Sequence, residues 1–188
     1  MLSESKLSIQ PSIALMVVDM QPPFIRAVSH PETLMQRCCF AIEAACLFNI
    51  CVLFTEQNPK KLQTTHPTLR ALAPDAPVFP KLTFSALRAP DLNAFLEEHS
   101  IKHLLIAGLE TPICIYQTVI EAQKNGFTVT LLNDCIDCRH IQDVDCALQA
   151  LSQAGAHVLP SETVFYSILG DAGHPHFRTF NQMVKKYA

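Results

Sequence analysis

Short runs of apolar residues alternate along this chain with longer stretches whose apolar positions recur every three to four residues. The first run, Ile13 to Val18, has no polar break and fits a strand buried on both faces. It stops at Asp19-Met20-Gln21-Pro22-Pro23, where two prolines end extended pairing. Between residues 32 and 49, apolar positions fall at Leu34/Met35, Cys38/Cys39, Ile42, Ala45/Cys46 and Phe48, the period of a helix. Cys51 to Thr55 reads as a second strand. Residues 56 to 76 are polar and contain proline, which predicts a long loop with one helical turn near Thr68 to Leu72. Long loops in compact domains are usually functional.

The second half repeats the alternation. Pro77 to Lys81 predicts a third strand, Asp91 to His99 a short helix and His103 to Gly108 a fourth strand. Ile113 to Asn125 is helical in pattern, with Pro112 suited to its first turn and Gly126 to its stop. Phe127 to Leu132 predicts a fifth strand. Ile141, Val144, Leu148, Leu151 and Ala154 mark a helix ended by Gly155. His157 to Leu159 predicts a sixth strand, followed by helices over Ser161 to Leu169 and Phe177 to Tyr187. Strands that alternate with helices imply a parallel sheet covered on both faces. The expected fold class is α/β: a doubly wound, mainly parallel six-stranded sheet in order 3-2-1-4-5-6, with helices on both faces. One domain over residues 1–188 is expected, with residues 1–11 as an N-terminal arm and 171–188 as a helical tail. A ligand site would lie past the carboxyl ends of strands 1 and 4, where the strand order reverses.

Composition narrows the function. The chain has 188 residues, 49% hydrophobic and 16% charged, with a net charge of −3. A slightly acidic balance argues against a nucleic-acid partner gripped by a basic face. No apolar run is long enough for a membrane span. The opening MLSESKLSIQPS lacks a basic start and an apolar stretch, so no secretory leader is expected and a cytoplasmic location is. Eight cysteines sit mostly in apolar contexts, where reduced cysteine behaves as a small hydrophobe. Five glycines form neither G-x-G-x-x-G nor a phosphate-binding loop, so no nucleotide cofactor is expected.

Three residue types converge on the predicted switch point. Asp19 ends strand 1, Lys81 ends strand 3, and Cys114 follows strand 4 at a helix start. A helix start and a nearby ammonium both lower a thiol's pKa. Free backbone N–H groups at such a turn suit a developing oxyanion. These are the parts of nucleophilic acyl transfer. Taken singly, each residue has a plainer reading as a turn cap, a solvated lysine or a packed thiol.

The segment Val17-Val18-Asp19-Met20-Gln21 followed by Phe24 resembles the opening motif of the isochorismatase-like cysteine hydrolases. Lys81-Leu82-Thr83-Phe84-Ser85-Ala86 is similar to that family's lysine segment. Gly108-Leu109-Glu110-Thr111-Pro112-Ile113-Cys114-Ile115-Tyr116-Gln117-Thr118 is similar to its nucleophile turn. The three occur in the family's order, and residues 13 to 170 carry the likeness. Gly170 to Phe177 resembles the tail of isochorismatase-domain-containing proteins of unassigned substrate. The resemblance implies an Asp19–Lys81–Cys114 triad that cleaves a small amide-like C–N or related acyl bond through a thioester. It also implies a non-proline cis bond at Leu109–Glu110, with oxyanion donors from the Glu110 and Cys114 amides.

Two departures limit the analogy. Many members carry Asp where this chain has Pro112, which donates no N–H. The Asp-x-His metal pair of nicotinamidases is replaced by Thr55-Glu56-Gln57-Asn58-Pro59, so no metal is expected. Vinyl-ether-cleaving isochorismate hydrolases lack the thiol, so Cys114 points to amide or carbamoyl substrates. Phe24, Glu56, Gln57 and Tyr116 are candidate pocket residues by topology. Cys135-x-x-Cys138 near His140 raises a metal or redox alternative, but the remaining zinc ligands are missing, and a loop with two packed thiols is the plainer reading. The expected protein is a homo-oligomer, a dimer or larger, acting on a small molecule. The rival is a non-catalytic member that uses the fold for binding.

Overall fold

The structure, a computed structural model, describes residues 12–187. The expected arm over residues 1–11 lies outside the described residues. Among them six strands form one sheet: β1 (Ile13–Val18), β2 (Cys51–Gln57), β3 (Val78–Lys81), β4 (His103–Gly108), β5 (Thr128–Ile136) and β6 (His157–Leu159). The order is β3-β2-β1-β4-β5-β6 and every pair is parallel, as the alternation of strands and helices predicts. The helices are α1 (Pro22–Ile25), α2 (Pro31–Leu47), α3 (Pro59–Leu62), α4 (Pro67–Leu72), α5 (Leu92–Glu98), α6 (Tyr116–Lys124), α7 (Gln142–Gln153), α8 (Ser161–Leu169) and α9 (Phe177–Lys186).

β1 explains why its sequence has no polar break. It is buried along its whole length, and its side chains alternate between two apolar layers. Ile13, Leu15 and Val17 join Phe40 of α2, Phe165 of α8 and Phe180 of α9. Ala14, Met16 and Val18 join Leu96 of α5, Val119 of α6 and Leu151 of α7. Burying a side chain such as Leu15 contributes about 1.5–3 kcal/mol. The central pair β1–β4 aligns Val18 with Gly108, the last residue of each strand. Gly108 has φ 120, and a Cβ there would collide with the Val18 carbonyl. Only glycine lets the two strand ends approach this closely.

Several boundaries move from their predicted places. β2 runs on to Gln57 because Glu56 and Gln57 still pair with Pro80 and Lys81 of β3. β5 runs on to Ile136, past the polar Asn133 and Asp134. The strand tolerates Asp134 because Arg37 and Ser161 bond both of its carboxyl oxygens at 2.6–2.8 Å. Cys135 therefore lies inside a buried strand and not in a loop, its thiol 3.4 Å from the Arg37 carbonyl. The loop over residues 56–76 holds α3 as well as the predicted turn, here α4. Before α6, Thr111–Ile115 form a wide π-type turn, in which Glu110 O accepts from Ile113 N and Ile115 N at 3.1 Å.

Candidate active site

Asp19, the first residue beyond β1, takes a left-handed backbone conformation (φ 51) that aspartate tolerates better than most residues. Its N–H donates to Thr55 O at 3.1 Å, which fixes the turn against β2. Gln21 then ties the turn to the following loop. Its amide donates to Gln63 O at 2.6 Å and Gln57 O at 3.0 Å, and accepts from Gln57 N at 2.8 Å. The chain turns sharply at two prolines, yet Asp19 is held rigidly.

The Asp19 carboxyl is 1% exposed and bonded along both edges. Thr55 Oγ1 donates to Oδ1 at 2.8 Å, and Lys81 Nζ donates to Oδ2 at 2.6 Å. The ammonium also reaches Gln57 Oε1 at 2.8 Å, Phe84 O at 3.2 Å and Thr83 O at 3.3 Å. Four acceptors surround three N–H bonds, so this buried cation is fully solvated by protein. Burial raises the Asp19 pKa above its ordinary 3.8, and Lys81 opposes that rise.

Cys114 sits within the π-type turn and is 5% exposed. Its thiol faces the Asp19 carboxyl, and each group shifts the other's proton affinity. Burial first, and then the Asp19 charge, push the thiol up to about 12, while Lys81 and the Glu110 amide pull it down. The expectation of a lowered thiol pKa is thus reversed. The helix start and the ammonium are present, but Lys81 is spent on the nearer carboxylate. Cys114 rests as a thiol beside a base, which is the arrangement of a base-activated nucleophile. Burial, with the Cys38 and Glu43 charges beside it, also raises Cys39, to about 11. Cys135 also lies 3.6 Å from a carboxyl oxygen, Asp134 Oδ1, so what separates Cys114 from the other thiols is its place past β4, opposite the Asp19–Lys81 pair.

The turn around Cys114 presents amides. The Leu109–Glu110 bond is cis, as the resemblance implies. Among the described residues the Glu110 N–H donates to no oxygen, and it faces the Cys114 sulfur. The Glu110 side chain turns away to Arg139, whose Nε donates to Oε1 at 3.1 Å. Thr111 N and Oγ1 both donate to Asp137 O, at 3.1 and 2.9 Å, which fastens the turn to the end of β5.

The structure thus brings Asp19, Lys81 and Cys114 together, with Glu110 in the same turn. Gln57, proposed as a pocket residue, is bound to Lys81. Glu56 is 5% exposed, and its Oε1 accepts from Thr65 N at 2.7 Å and Thr65 Oγ1 at 2.9 Å, so it anchors the loop before α4. Phe24, half-buried on α1, packs on the α2-side core. Tyr116 lines a groove of about 390 Å³ with Phe84, Ser85 and Arg88, beside α6. Cys138 is buried, its thiol 3.0 Å from His140 O. Thr55 and Thr118, which sequence reasoning does not single out, also hold the site together. Thr118, four residues after Cys114, carries the signal of an i, i+4 helix contact; Thr55 carries none.

Asp19, Lys81 and Cys114 thus meet at the switch point of a parallel, doubly wound α/β sheet. A model of the isochorismatase domain matches residues 13–163, and the chain belongs to the isochorismatase family. It is 30% identical over 178 residues to isochorismatase domain-containing protein 2 of Xenopus laevis, covering 94% of this chain and 85% of that one. It is 28% identical over 181 residues to the secreted isochorismatase effector Isc1 of Phytophthora sojae, covering 94% and 86%. Among solved structures, the MAR1 ribonuclease of Caenorhabditis elegans superposes with a TM-score of 0.88 at 28% identity, covering 94% and 92%. The octameric YcaC hydrolase of Escherichia coli, of unknown specificity, superposes at 0.83 with 21% identity, covering 94% of each chain, and shares the fold.

Proposed function

We propose that this isochorismatase-family protein is a cysteine hydrolase that cleaves an amide-like C–N or related acyl bond of a small molecule. The observation that carries this reading is the Cys114 thiol facing the Asp19 carboxyl group, which Lys81 and Thr55 pin along both edges. Asp19 takes the thiol proton as the sulfur attacks the carbonyl carbon. The Glu110 and Cys114 N–H groups face the oxyanion that develops. The tetrahedral intermediate collapses, the C–N bond breaks, and Asp19 returns the proton to the leaving amine. A thioester remains. Asp19 then deprotonates a water that attacks it, releasing the acid and restoring the thiol. Lys81 favours the ionised form of Asp19 against burial and orients it.

A small carbonyl compound fits better than a polynucleotide. Nucleic-acid binding draws on cationic side chains arrayed along the phosphate track, and this chain carries a net charge of −3. Eight free thiols suit a reducing compartment such as the cytoplasm. Leu82 and Phe84, 76% and 52% exposed beside Lys81, offer apolar surface for self-association, in keeping with the octameric neighbour. The test is a panel of small amides and carbamoyl compounds, followed by amine release. Turnover that Cys114→Ala abolishes supports the reading. Binding of such compounds without turnover, unchanged in Cys114→Ala, favours a binding module instead.

A further inference from the structure

We propose that Thr118 is a positioning residue whose hydroxyl locks the lysine segment to the nucleophile turn, holding Cys114 in register with Asp19 and Lys81. The inference rests on the cysteine-hydrolase reading. The problem it solves is topological. Lys81 ends β3 and Cys114 follows β4, and in the order β3-β2-β1-β4 these strands are not neighbours. No ladder of the sheet sets one end directly against the other. A cross-link past the strand ends is therefore needed if the ammonium and the thiol are to share one carboxylate.

Thr118 supplies it. Its Oγ1 donates to Cys114 O at 2.6 Å and accepts from Ala86 N at 2.8 Å. The bond back to Cys114 alone would be ordinary, since helical threonines often bond the carbonyl four residues earlier. The second bond is different, because it leaves the helix and reaches the loop that follows β3. That loop also gives Lys81 Nζ its Thr83 O and Phe84 O acceptors, only two to three residues before Ala86. A short path thus runs from Lys81 through the loop backbone to Ala86, across the Thr118 hydroxyl and onto the Cys114 carbonyl. Thr118 and Ala86 are fully buried, so no water competes for either bond. A valine at 118 would keep the shape and lose both bonds.

The experiment measures alkylation of Cys114 by iodoacetamide across pH, by peptide mass spectrometry, in wild type, Thr118→Val, Thr118→Ser and Asp19→Asn. Hydrogen exchange at Ala86 is followed in parallel. Thr118→Val should slow Cys114 by on the order of 10- to 100-fold, the scale of a small misplacement of a reacting group. It should also move the acid limb of the profile up by roughly half a pH unit, as Lys81 loosens its grip on Asp19. Ala86 should exchange faster, and Thr118→Ser should restore rate, limb and protection. If Thr118→Val does not fold, Thr118→Ala replaces it with the same expectations. Faster Ala86 exchange with an unchanged rate and limb overturns the assignment, as does a Thr118→Ser variant as slow as Thr118→Val. If Asp19→Asn slows Cys114 and Thr118→Val does not, only the Thr118 role fails. If Asp19→Asn has no effect, the hydrolase reading fails and the positioning role with it.

Discussion

Lys81 Nζ lies 2.6 Å from Asp19 Oδ2, and both side chains are withdrawn from solvent. An interior pair of this kind is costly to desolvate, and removing one member strands the other. Lys81→Met should therefore lower stability by about 3–5 kcal/mol near neutral pH, read by urea denaturation. Asp19→Asn combined with Lys81→Met should recover most of that loss, because no charge is then left buried. A double variant as unstable as the sum of the two single variants would show that the charges do not depend on each other.

The thiol predicts an alkaline dependence. Cys114 titrates near 9.0 when unfolded and is pushed up to about 12 in the fold. Below pH 9 both states hold the proton, and the contribution is fully present. Between those values the unfolded chain releases it first, so stability falls as pH rises, by up to about 1.4 kcal/mol per pH unit for one group. Cys39 pulls the same way, so the comparison is between proteins. Cys114→Ala should show a shallower fall above pH 9 than wild type in guanidinium titrations. Parallel slopes would mean that Cys114 ionises in the fold as readily as in the unfolded chain.

Gly108 and Gly126 both have positive φ, 120 and 84, but their surroundings differ. At Gly126 an added Cβ meets nothing within 4 Å. Gly126→Ala should cost about 1–2 kcal/mol, the left-handed penalty alone. Gly108→Ala must part the ends of β1 and β4, which carry Asp19 and the turn of Cys114. It should cost well over about 3 kcal/mol or prevent folding. Equal thermal shifts for the two variants would contradict this packing of Val18 on Gly108.

Much of this architecture is legible in sequence because its causes are local. The unbroken run Ile13 to Val18 announces a strand buried on both faces, and its order among helices fixes a parallel sheet. Asp19, Lys81 and Cys114 could be placed at one crevice because strand ends are readable and the switch point follows from strand order. The misread features are those set by tertiary partners. β5 continues through Asp134 only because Arg37 and Ser161 wait on other elements. Thr55 carries no signal until Asp19 is beside it, and Gln57, a candidate pocket residue by topology, is bound to Lys81. The direction of the thiol pKa is not legible in sequence, which shows the ammonium but not its four acceptors, nor the depth of burial.

The most direct test compares cysteines within one protein. Cys46 and Cys146 are exposed, whereas Cys114 is buried, so exposure alone ranks Cys114 as slow. Limiting iodoacetamide near neutral pH, with each cysteine followed by peptide mass spectrometry, reverses that ranking if Asp19 acts as its base. Cys114 should be alkylated before Cys146, and Asp19→Asn should slow Cys114 by on the order of 100-fold or more while leaving Cys46 and Cys146 unchanged. Cys114 lagging behind the exposed thiols, at a rate indifferent to Asp19→Asn, would contradict the account.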